Sequence, residues 1–424
     1  MKPITVAIAG CGSRGLDTYA ACQSRFPDKM KIVAAADTRP EKLAQMKAVC
    51  GLQDAQCYES AEEMLAAGKL ADVMFICTQD QQHHQHAMAA LNLGYHLLLE
   101  KPISESAEKC LDIERLANEK HLRVIVCHVL RYTVFYQKIK ELIDCGTVGE
   151  VVSVQASEQV GYWHQAHSFV RGNWCVQEKS APMILAKCCH DMDILLWLTG
   201  KHCRKVSSFG SLRHFRKEYA PQGAAARCTE DCPAAETCPY NAVRFYMGRL
   251  KAGNLGWPIN ILTTQHDEAG VMKALREGPY GRCVYRCDND VVDHQVVNLQ
   301  LEDGVTVNFS MCGFSKYNHR SIRIMGTHGE IVADTNDHLI HVMPFVGEES
   351  VIDVTTLTQD FSGHAGGDAR MLEEFMDVLL GNSQGSASLS EISRSVESHL
   401  VALAAEASRI NGGAMVDMEA FVQA

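Results

Sequence analysis

The chain has 424 residues, of which 46% are hydrophobic and 21% are charged. At roughly 150 residues per domain, this length predicts two or three domains, and the composition excludes a disordered chain. No apolar run approaches the ~18 residues that a membrane span requires. Forty basic against 51 acidic residues give a net charge of −11 without a basic block. This balance argues against nucleic acid or an anionic membrane as partner and favours a small, neutral or polar substrate.

Two features predict a cytoplasmic protein. The first ten residues contain one lysine and an apolar stretch that is too short for a secretory signal and leads directly into a glycine motif. We therefore interpret the stretch as a first β-strand. The 18 cysteines are tolerable where thiols stay reduced.

The first 128 residues alternate apolar runs of strand length with amphipathic segments of helix length, which is typical of βα units around a parallel sheet. The predicted strands are 5–9, 31–37, 71–78, 96–99 and 122–127, and the predicted helices are 14–25, 40–50, 83–93 and 106–119. The pattern changes from about residue 132, where a helix, a long strand and a buried helix are predicted at 135–145, 150–159 and 182–198.

Alternating segments then predict a large, open and mostly antiparallel sheet, so that the fold class of the whole chain is α/β. These segments are 292–301, 305–313, 321–326, 329–333 and 339–345, and two closing helices follow at 368–380 and 389–410.

Residues 10–15, Gly-Cys-Gly-Ser-Arg-Gly, directly follow the first predicted strand and open a helix, the context in which G-x-G-x-x-G indicates a dinucleotide site. Gly10 allows a tight turn, Gly12 lets the backbone approach a pyrophosphate, and Gly15 lets helix and strand pack closely. The helix N-terminus then faces the phosphates. The cofactor contacts expected from this loop are Gly10, Gly12, Ser13, Arg14 and Gly15.

Asp37, at the end of the second predicted strand, is placed to accept hydrogen bonds from the adenosine ribose hydroxyls. Its charge repels a 2′-phosphate and favours NAD over NADP, although Arg39 is placed to accommodate a phosphate or to stack on adenine. A glycine-rich turn without a ligand is disfavoured because strand, glycines, helix and acid occur in order.

Glu100 and Lys101 end an apolar strand at the carboxyl edge of the predicted parallel sheet, where open α/β folds bind their ligands. A lysine near the nicotinamide can exchange a proton with a substrate hydroxyl while a hydride moves to the ring. The alternative is an ion pair between the two residues that caps the strand.

The buried helix near residue 182 carries a second polar group. Lys187, His190 and Asp191 fall at i, i+3 and i+4 and therefore share one face of a continuous helix. His190 can act as a second acid/base or bind a substrate hydroxyl, and Lys187 is a further catalytic candidate. A satisfied buried network without chemistry is the alternative.

These segments resemble the glucose-fructose oxidoreductase, inositol dehydrogenase and rhizopine-catabolism family (Gfo/Idh/MocA) over nearly the whole chain. The landmarks are Gly10-x-Gly12-x-x-Gly15, Asp37, Thr78, His83, Gly94, Glu100-Lys101-Pro102, Arg131-Tyr132, Gly146-x-x-Gly149-Glu150, His190-x-x-Asp193 and Gly326-Thr327-x-Gly329. The resemblance implies a Rossmann NAD(P)-binding domain, here 1–128, and a C-terminal α/β domain, here 129–424. The second domain would bind the substrate and form a homodimer or homotetramer through its sheet.

The resemblance also implies NAD(P)-dependent oxidation or reduction at a hydroxyl of a sugar or cyclitol, with Lys101 catalytic. Thr78 and His83 join Glu100 and Lys101 among the expected cofactor-binding residues. Two departures stand out. Many members have an aspartate four residues before the histidine, where this chain has Ala186, which leaves the general base open. Members usually have proline after the threonine, where this chain has Gln79.

Two further segments are candidates for substrate binding. A loop at 162–174 is rich in rings and hydrogen-bond donors, which suits stacking on a pyranose and contact with its hydroxyls, although packing or a subunit contact is the alternative. A glycine turn at 363–368 can reach the same pocket, or it can be a turn in which Asp368 caps a helix. The candidates are Tyr162, Trp163, His164, Arg171, Trp174, Asp191, His364 and Asp368.

A cysteine cluster lies in an apparent insertion at about 214–290, outside the residues that carry the resemblance. Its members are Cys228, Cys232 and Cys238, and Cys283 or Cys287 is available as a fourth ligand. A structural zinc ion or an iron–sulfur cluster is one interpretation. The spacing is not the usual C-x-x-C pair, so coincident reduced thiols are slightly favoured.

The leading hypothesis is an NAD-dependent dehydrogenase of a sugar, sugar derivative or cyclitol. The alternative is an NAD-dependent glycoside hydrolase or lyase that oxidises a hydroxyl transiently, eliminates the aglycone and reduces the ring again without net redox change. The missing aspartate, Lys187 and the aromatic loop support this alternative. A third hypothesis is a nucleotide-sensing protein without catalysis.

Overall fold

The computed structural model describes residues 2–423, which form two β-sheets with helices packed against them. The strands are β1 (Ile4–Ala9), β2 (Met30–Ala36), β3 (Cys57–Tyr58), β4 (Val73–Ile76), β5 (His96–Leu99), β6 (Val124–Val126), β7 (Val151–Gly161), β8 (Cys203–Ser211), β9 (His294–Leu301), β10 (Thr306–Ser315), β11 (His319–Gly326), β12 (Gly329–Asp334), β13 (Leu339–Pro344), β14 (Ser350–Asp353) and β15 (Val416–Asp417).

The α-helices are α1 (Cys22–Arg25), α2 (Pro40–Cys50), α3 (Ala61–Ala66), α4 (His83–Asn92), α5 (Ala107–Glu119), α6 (Val134–Asp144), α7 (Tyr162–His164), α8 (Met183–Ala186), α9 (Cys189–Thr199), α10 (Ala242–Lys251), α11 (Ile259–Leu262), α12 (Glu268–Glu277), α13 (Ser362–Ala365), α14 (Gly367–Leu379), α15 (Ile392–Ile410) and α16 (Met418–Gln423). Segments Ser13–Ala20 and Gln165–Arg171 are π-helical, and short 3₁₀ turns lie at Asp54–Gln56, Asp80–Gln82, Val129–Tyr132, Gln177–Lys179, Lys217–Tyr219, Pro279–Gly281, Glu302–Gly304 and Val354–Thr356. Within 2–423, no helix has the length and apolar character needed to cross a membrane.

The first sheet has six parallel strands in the order β3-β2-β1-β4-β5-β6. Its central strands are apolar because helices cover both faces, and all four residues of β4 are buried. Helix boundaries follow local chemistry: Pro40 opens α2, and Gly51, with φ of 70°, ends it. The carboxyl ends of β1, β4 and β5 meet at one edge of this sheet. The Rossmann architecture expected from the sequence is confirmed.

The second sheet has nine strands in the order β14-β13-β12-β11-β7-β10-β9-β8-β15. Its pairs are antiparallel apart from β7 with β10, which confirms the expected mostly antiparallel sheet. In β9, buried residues alternate with exposed ones, as they do when one face of a sheet is covered and the other is open. Helices α9 and α15 contribute to the core on the covered side.

Helix α14 packs on the first sheet although it comes late in the chain. Met371, Leu372 and Phe375 share a hydrophobic cluster with Val6 and Ile8 of β1. This packing brings the start of α14 close to the glycine loop.

The single helix expected at 182–198 is wrong. The chain forms two helices, α8 and α9, with the junction at Lys187 and Cys188. All residues from Cys189 to Leu198 are buried. Because this segment is apolar on all sides, its periodicity gave no sign of the break. Lys187, His190 and Asp191 are therefore not on one continuous helix.

Candidate active site

The glycine loop has the shape that a bound pyrophosphate requires. Gly10 has φ of +91°, and a Cβ there would lie 2.4 Å from the carbonyl oxygen of Cys77. A Cβ on Gly15 would lie 1.9 Å from the carbonyl oxygen of Gly10, so only glycine allows helix and strand to pack. At Gly12, by contrast, a Cβ would meet only Arg39 Nη2, at 3.9 Å. The space above Gly12 and the free N–H groups that begin the Ser13–Ala20 turn fit a dinucleotide phosphate.

Asp37 follows β2 and accepts hydrogen bonds from the backbone of Cys11 at 2.7 Å and from the backbone of Arg39 at 2.9 Å. The Arg39 side chain also donates to it, from Nε at 3.0 Å and Nη2 at 3.2 Å. Burial acts to raise the pKa of this carboxyl, but the hydrogen bonds and charge of Arg39 outweigh it and lower the pKa. Asp37 is thus an ionised acceptor at the edge where an adenosine ribose would lie.

Arg14 uses its guanidinium within the protein. Nε donates to Glu100 Oε1 at 2.5 Å, and Nη2 donates to the Tyr19 hydroxyl at 2.5 Å and to Asp368 Oδ1 at 2.7 Å. The expected cofactor contact of Arg14 can therefore come from its backbone, while its side chain ties the glycine loop to β5 and α14.

Lys101 leaves the first sheet and reaches the second part of the molecule. Its Nζ donates to the carbonyl oxygen of Ala186, the last residue of α8, at 2.9 Å. Glu100 is buried and pairs with Arg14 rather than with Lys101. Burial acts to raise the pKa of Glu100, but the charge of Arg14 and the hydrogen bond from Tyr19 lower it overall. The alternative of a Glu100–Lys101 pair capping the strand does not describe this geometry.

His83 lies beneath the site and contacts two turns. Its Nδ1 is 2.7 Å from the carbonyl oxygen of Pro102, and its Nε2 is 3.1 Å from that of Thr78. The Thr78 hydroxyl is 3.0 Å from Nδ1 of His86. Both His83 nitrogens face backbone carbonyl oxygens, so we expect the ring to link the turn at Thr78 to the turn at Pro102 beneath the predicted cofactor site.

His190 lies in the first turn of α9 and is buried. Burial lowers the pKa of the imidazole well below its usual value, and the charge of Lys101 lowers it further, so the ring is neutral. Within the described chain, Nδ1 is buried without a hydrogen-bond partner. Such an atom requires a partner, which a ligand hydroxyl can supply.

Four charges lie beside His190 and form what we name the charge quartet: Lys187, Glu158, Arg320 and Asp191. Lys187 Nζ is 3.2 Å from Glu158 Oε1, Arg320 Nη2 is 2.5 Å from Glu158 Oε2, and Arg320 Nε donates to Asp191 at 2.7 Å. The Arg320–Glu158 contact is an ion pair without hydrogen-bond geometry. Burial acts to raise the pKa of both carboxyls; it prevails at Asp191, whereas Arg320 and Lys187 lower the pKa of Glu158.

The start of the aromatic loop packs against the insertion. Trp163 stacks on Phe245 with ring centroids 5.5 Å apart, and the guanidinium of Arg249 lies 4.7 Å from the Trp163 ring centroid. Tyr162 meets Tyr240 edge-on at 6.0 Å. These contacts favour packing as at least one role of Tyr162 and Trp163.

His164 is the loop residue that faces the charge quartet. Its Nδ1 is 3.1 Å from Asn318 Oδ1, and burial followed by the charge of Lys187 lowers its pKa well below the usual value. Trp257, from the insertion, meets the His164 ring at 4.9 Å. His164 therefore remains a candidate for substrate contact.

Arg171 and Trp174, which the sequence predicts to contact the substrate, use polar groups of their side chains within the protein. Arg171 is buried and donates to the carbonyl oxygens of Arg282 and Tyr240, both at 2.7 Å. These hydrogen bonds anchor the loop to the insertion. The Trp174 indole N–H donates to Asp80 Oδ2 at 2.9 Å, and this hydrogen bond joins the loop to the turn that follows β4 of the first sheet.

Asp368 is the second residue of α14 and not its cap, which corrects that alternative. Its carboxylate accepts from Arg14 and is 3.0 Å from Nδ1 of His364. The rings of His364 and His190 are 6.2 Å apart. A cavity of about 270 Å³ adjoins His364, and the polar and aromatic residues in its lining include Asn318, Arg320, Thr335, His338, Phe361 and His364.

Sequence reasoning missed Glu158, Asn318 and Arg320. Glu158 and Arg320 are directly opposite each other on β7 and β11. Their signal is a pair of opposite charges within strands that are otherwise half apolar, and it becomes informative only when the pairing of the strands is known.

The structure does not support the zinc ion or iron–sulfur cluster that was one interpretation of Cys228, Cys232, Cys238 and Cys283. Across residues 2–423, no three His, Cys, Asp or Glu side chains are grouped to hold a metal ion. Cys228 instead accepts a hydrogen bond from Arg171 at 3.6 Å, while Cys238 and Cys283 pack against an aromatic cluster. Burial is the main cause that raises the pKa of these last two thiols.

The fold and the glycine loop define an NAD-binding oxidoreductase of the Rossmann type. Residues 4–128 match the family model described as "Oxidoreductase family, NAD-binding Rossmann fold", and residues 140–417 match "Oxidoreductase family, C-terminal alpha/beta domain". The chain therefore belongs to the Gfo/Idh/MocA oxidoreductase family. Because this family consists of oxidoreductases, the match argues against the hypothesis of a nucleotide-sensing protein without catalysis.

The chain is 24% identical to the Bacillus subtilis protein YteT, named as an oxidoreductase, over 415 residues that cover 91% of this chain and 93% of that protein. It is 25% identical to inositol 2-dehydrogenase of Burkholderia cenocepacia over 201 residues, 47% of this chain and 55% of the relative. The WlbA dehydrogenase of Bordetella pertussis, solved with NADH and UDP-GlcNAcA, has the same fold, with a TM-score of 0.70, 16% identity and 98% of each chain covered.

Proposed function

We propose that the protein transfers a hydride between NAD and a hydroxyl or keto carbon of a sugar, sugar derivative or cyclitol. The observation that carries the proposal is the position of Lys101, whose Nζ leaves the edge of the NAD-binding sheet and bonds to Ala186, four residues before His190. The inositol 2-dehydrogenase among the relatives supports this substrate class.

The glycine loop and Asp37 would hold the dinucleotide. Gly12 leaves room for the pyrophosphate. The Asp37 carboxylate would accept hydrogen bonds from the ribose hydroxyls once the Arg39 side chain has moved aside. An ionised carboxylate repels a 2′-phosphate, which supports NAD over NADP. When bound, NAD supplies a hydride acceptor or donor at its nicotinamide.

Lys101 and His190 would share the proton chemistry at the substrate hydroxyl. One N–H of the Lys101 ammonium donates to the carbonyl oxygen of Ala186. The remaining N–H groups can donate to the substrate oxygen and would stabilise the negative charge that develops on it. The neutral His190 would accept the hydroxyl proton. The charge quartet and His164 would then orient the other hydroxyls of a polyol.

The open face of the second sheet supports assembly of the protein into homodimers or homotetramers. Phe209, Val296 and Val351 expose 55%, 37% and 56% of their surface, respectively. Burial of such residues between copies is favourable. We place the protein in the cytoplasm, where its 18 unpaired cysteines stay reduced.

The test follows NADH formation by purified protein with NAD and a panel of free sugars, cyclitols and nitrophenyl glycosides, with nitrophenolate release measured in the same sample. NADH formation with a free sugar or cyclitol is the expected result. Failure of the whole panel to reduce NAD or release nitrophenolate would count against the proposal, and the matching panel with NADP tests the cofactor preference.

Glycoside cleavage through a transient keto sugar is the second candidate. Ala186 replaces the acid that many family members carry, while Lys187 lies near His190 with Glu158 at 3.2 Å. This arrangement offers a second proton carrier in the cleft, which we define as the space between Lys101 at the edge of the first sheet and the charge quartet. It predicts NAD-dependent nitrophenolate release without accumulated NADH, together with solvent hydrogen exchange at the acidified carbon.

A further inference from the structure

His364 and Asp368 have the geometry of a histidine–carboxylate dyad. Asp368 Oδ2 is 3.0 Å from Nδ1 of His364 and also accepts from the backbone N–H of His364 at 3.0 Å. Arg14 holds the other carboxylate oxygen at 2.7 Å. Burial acts to raise the pKa of Asp368, but the charges of His364 and Arg14 lower it far below its usual value. An ionised carboxylate therefore fixes the orientation of the ring.

The backbone around His364 is shaped to present this side chain. Gly363, Ala365 and Gly366 have φ of 54°, 50° and 75°, which is unfavourable for Ala365 because it has a Cβ. A Cβ on Gly363 would lie 2.6 Å from Asp368 Oδ2, so glycine is required for this approach. Unfavourable backbone conformations of this kind persist where the surrounding structure enforces them, often at functional sites.

The ring of His364 faces the cleft. It lines the cavity of about 270 Å³ that also contains Arg320 and Asn318, and its centroid is 6.2 Å from that of His190. With Nδ1 bound to Asp368, proton exchange is left to Nε2, which has no hydrogen-bond partner within residues 2–423. A ligand in this cavity would thus meet an imidazole oriented by a carboxylate, with the buried and neutral imidazole of His190 directly behind it.

We propose that His364, positioned by Asp368, is the catalytic acid that protonates the leaving oxygen in glycoside cleavage. A hydride transfer at one hydroxyl requires one proton carrier, whereas elimination requires one group to take a proton from carbon and another to give a proton to oxygen. His190 and His364 provide these two groups. This inference rests on the second candidate function.

In the step itself, the C–O bond to the aglycone breaks and its electron pair stays on oxygen, which takes the Nε2 proton of His364. The pair that forms the new C=C bond comes from the adjacent C–H bond, whose proton goes to His190. That C–H bond would be acidic because, with a nicotinamide dinucleotide bound, the next carbon would be a ketone: its hydride would go to the dinucleotide, and its hydroxyl proton would pass through His190 to water before the elimination. Water would then add to the double bond, and the hydride and a proton would return to the ketone, so that no electrons are gained or lost overall.

The test compares wild type, His364→Gln and Asp368→Asn on two series of glycosides of one sugar, nitrophenyl and alkyl. A nitrophenolate is stable enough to leave as an anion, whereas an alkyl leaving group must be protonated as the C–O bond breaks. General acid catalysis contributes about 10²–10⁴-fold, so His364→Gln is expected to lower kcat for alkyl glycosides at least ~100-fold more than for nitrophenyl glycosides. Asp368→Asn is expected to show the same selective loss to a smaller degree.

Glu373→Gln is the matched control because Glu373 is on the same helix and pairs with Lys29 at 2.8 Å away from the cleft. It is expected to show no leaving-group dependence. Nitrogen NMR of histidine-labelled apo protein, assigned with His364→Gln, is expected to show a protonated Nδ1 on His364 in the wild type, hydrogen-bonded to Asp368, and the loss of this hydrogen bond in Asp368→Asn.

Equal losses on both glycoside series would overturn the proposal, and so would the absence of cleavage by wild type. The readouts are separable. NADH formation from free sugars without any cleavage contradicts the role of His364 and leaves the dehydrogenase standing, whereas absence of both signals contradicts the proposed function as well.

Discussion

The two sides of the cleft are built differently. The glycine-loop side consists of residues close in sequence, and its geometry depends on glycines that admit no side chain at positions 10 and 15. The opposite side consists of charges that meet only across strands and helices, such as Glu158 on β7 and Arg320 on β11. Backbone shape therefore defines the first side, whereas balanced buried charge defines the second. Substitutions are expected to act on binding on one side and on chemistry or stability on the other.

The sharpest test of this comparison is Lys101, which belongs to the first side by sequence and to the second by contact. We expect Lys101→Ala to lower kcat by about 10³-fold or more, since acid–base and electrostatic catalysis are lost together. The Kd for NADH, measured by fluorescence titration, is expected to change little because the glycine loop is intact. Lys109→Ala, which removes a surface ion pair with Glu105, is the control. Near-normal turnover in Lys101→Ala would contradict the assignment of Lys101 as a catalytic residue.

Removal of one charge from the quartet tests whether the second side depends on charge balance. Glu158→Gln leaves Lys187 and Arg320 without their shared carboxylate. Loss of one partner of a buried pair costs about 3–5 kcal/mol in the free energy of unfolding. Glu330→Gln breaks a more exposed pair between Glu330 on β12 and Arg323 on β11, and such a pair is worth about 0–1 kcal/mol. Similar losses for the two variants in urea denaturation would show that the quartet contributes no more than a surface pair.

The cofactor preference tests the first side. Asp37→Ser removes the charge that faces the ribose, and a hydrogen bond to a charged group is worth about 1.5–3 kcal/mol. We therefore expect the ratio of kcat/KM for NAD to that for NADP to fall about 10–100-fold. Steady-state kinetics with each cofactor measures this ratio. An unchanged ratio would mean that Arg39, which covers Asp37 in the free protein, governs the preference instead.

The difference between the two sides also explains how much was predictable from sequence. The glycine loop, Asp37 and the strand ending at Lys101 are recognisable because spacing within one βα unit fixes their positions. The fold class followed from periodicity, but the break at Lys187 and Cys188 did not, because α8 and α9 are buried on all sides. Arg171 is predicted to contact the ligand, but its side chain donates hydrogen bonds to the carbonyl oxygens of Arg282 and Tyr240, which are distant in sequence and are brought to it only by the fold. Arg320 had no local motif, and its partners are distant in sequence.

His399 lies where the strand end at Lys101 meets helix α15, and its substitution is the prediction with the smallest expected effect. Its Nε2 accepts the backbone N–H of Ile103 at 2.9 Å, two residues after Lys101, and its Nδ1 contacts the carbonyl oxygen of Ser395. Burial, with the nearby His128, lowers its pKa from 6.5 to about 3. The folded state thus binds fewer protons than the unfolded state between these values, so the stabilising contribution is present above pH 6.5 and is lost as the pH falls toward 3.

We therefore expect His399→Gln, which keeps an acceptor for Ile103, to reduce the slope of unfolding free energy against pH. The reduction between pH 6 and 4 should approach about 1.4 kcal/mol per pH unit, the value for one proton. Urea titrations at several pH values measure this slope, and Gln substitution of the exposed His202 is the control because its pKa is raised by Glu397. An unchanged slope in His399→Gln would show that the acid sensitivity of the junction comes from other buried histidines, such as His128, which meets the His399 ring, and His190, which meets the His128 ring.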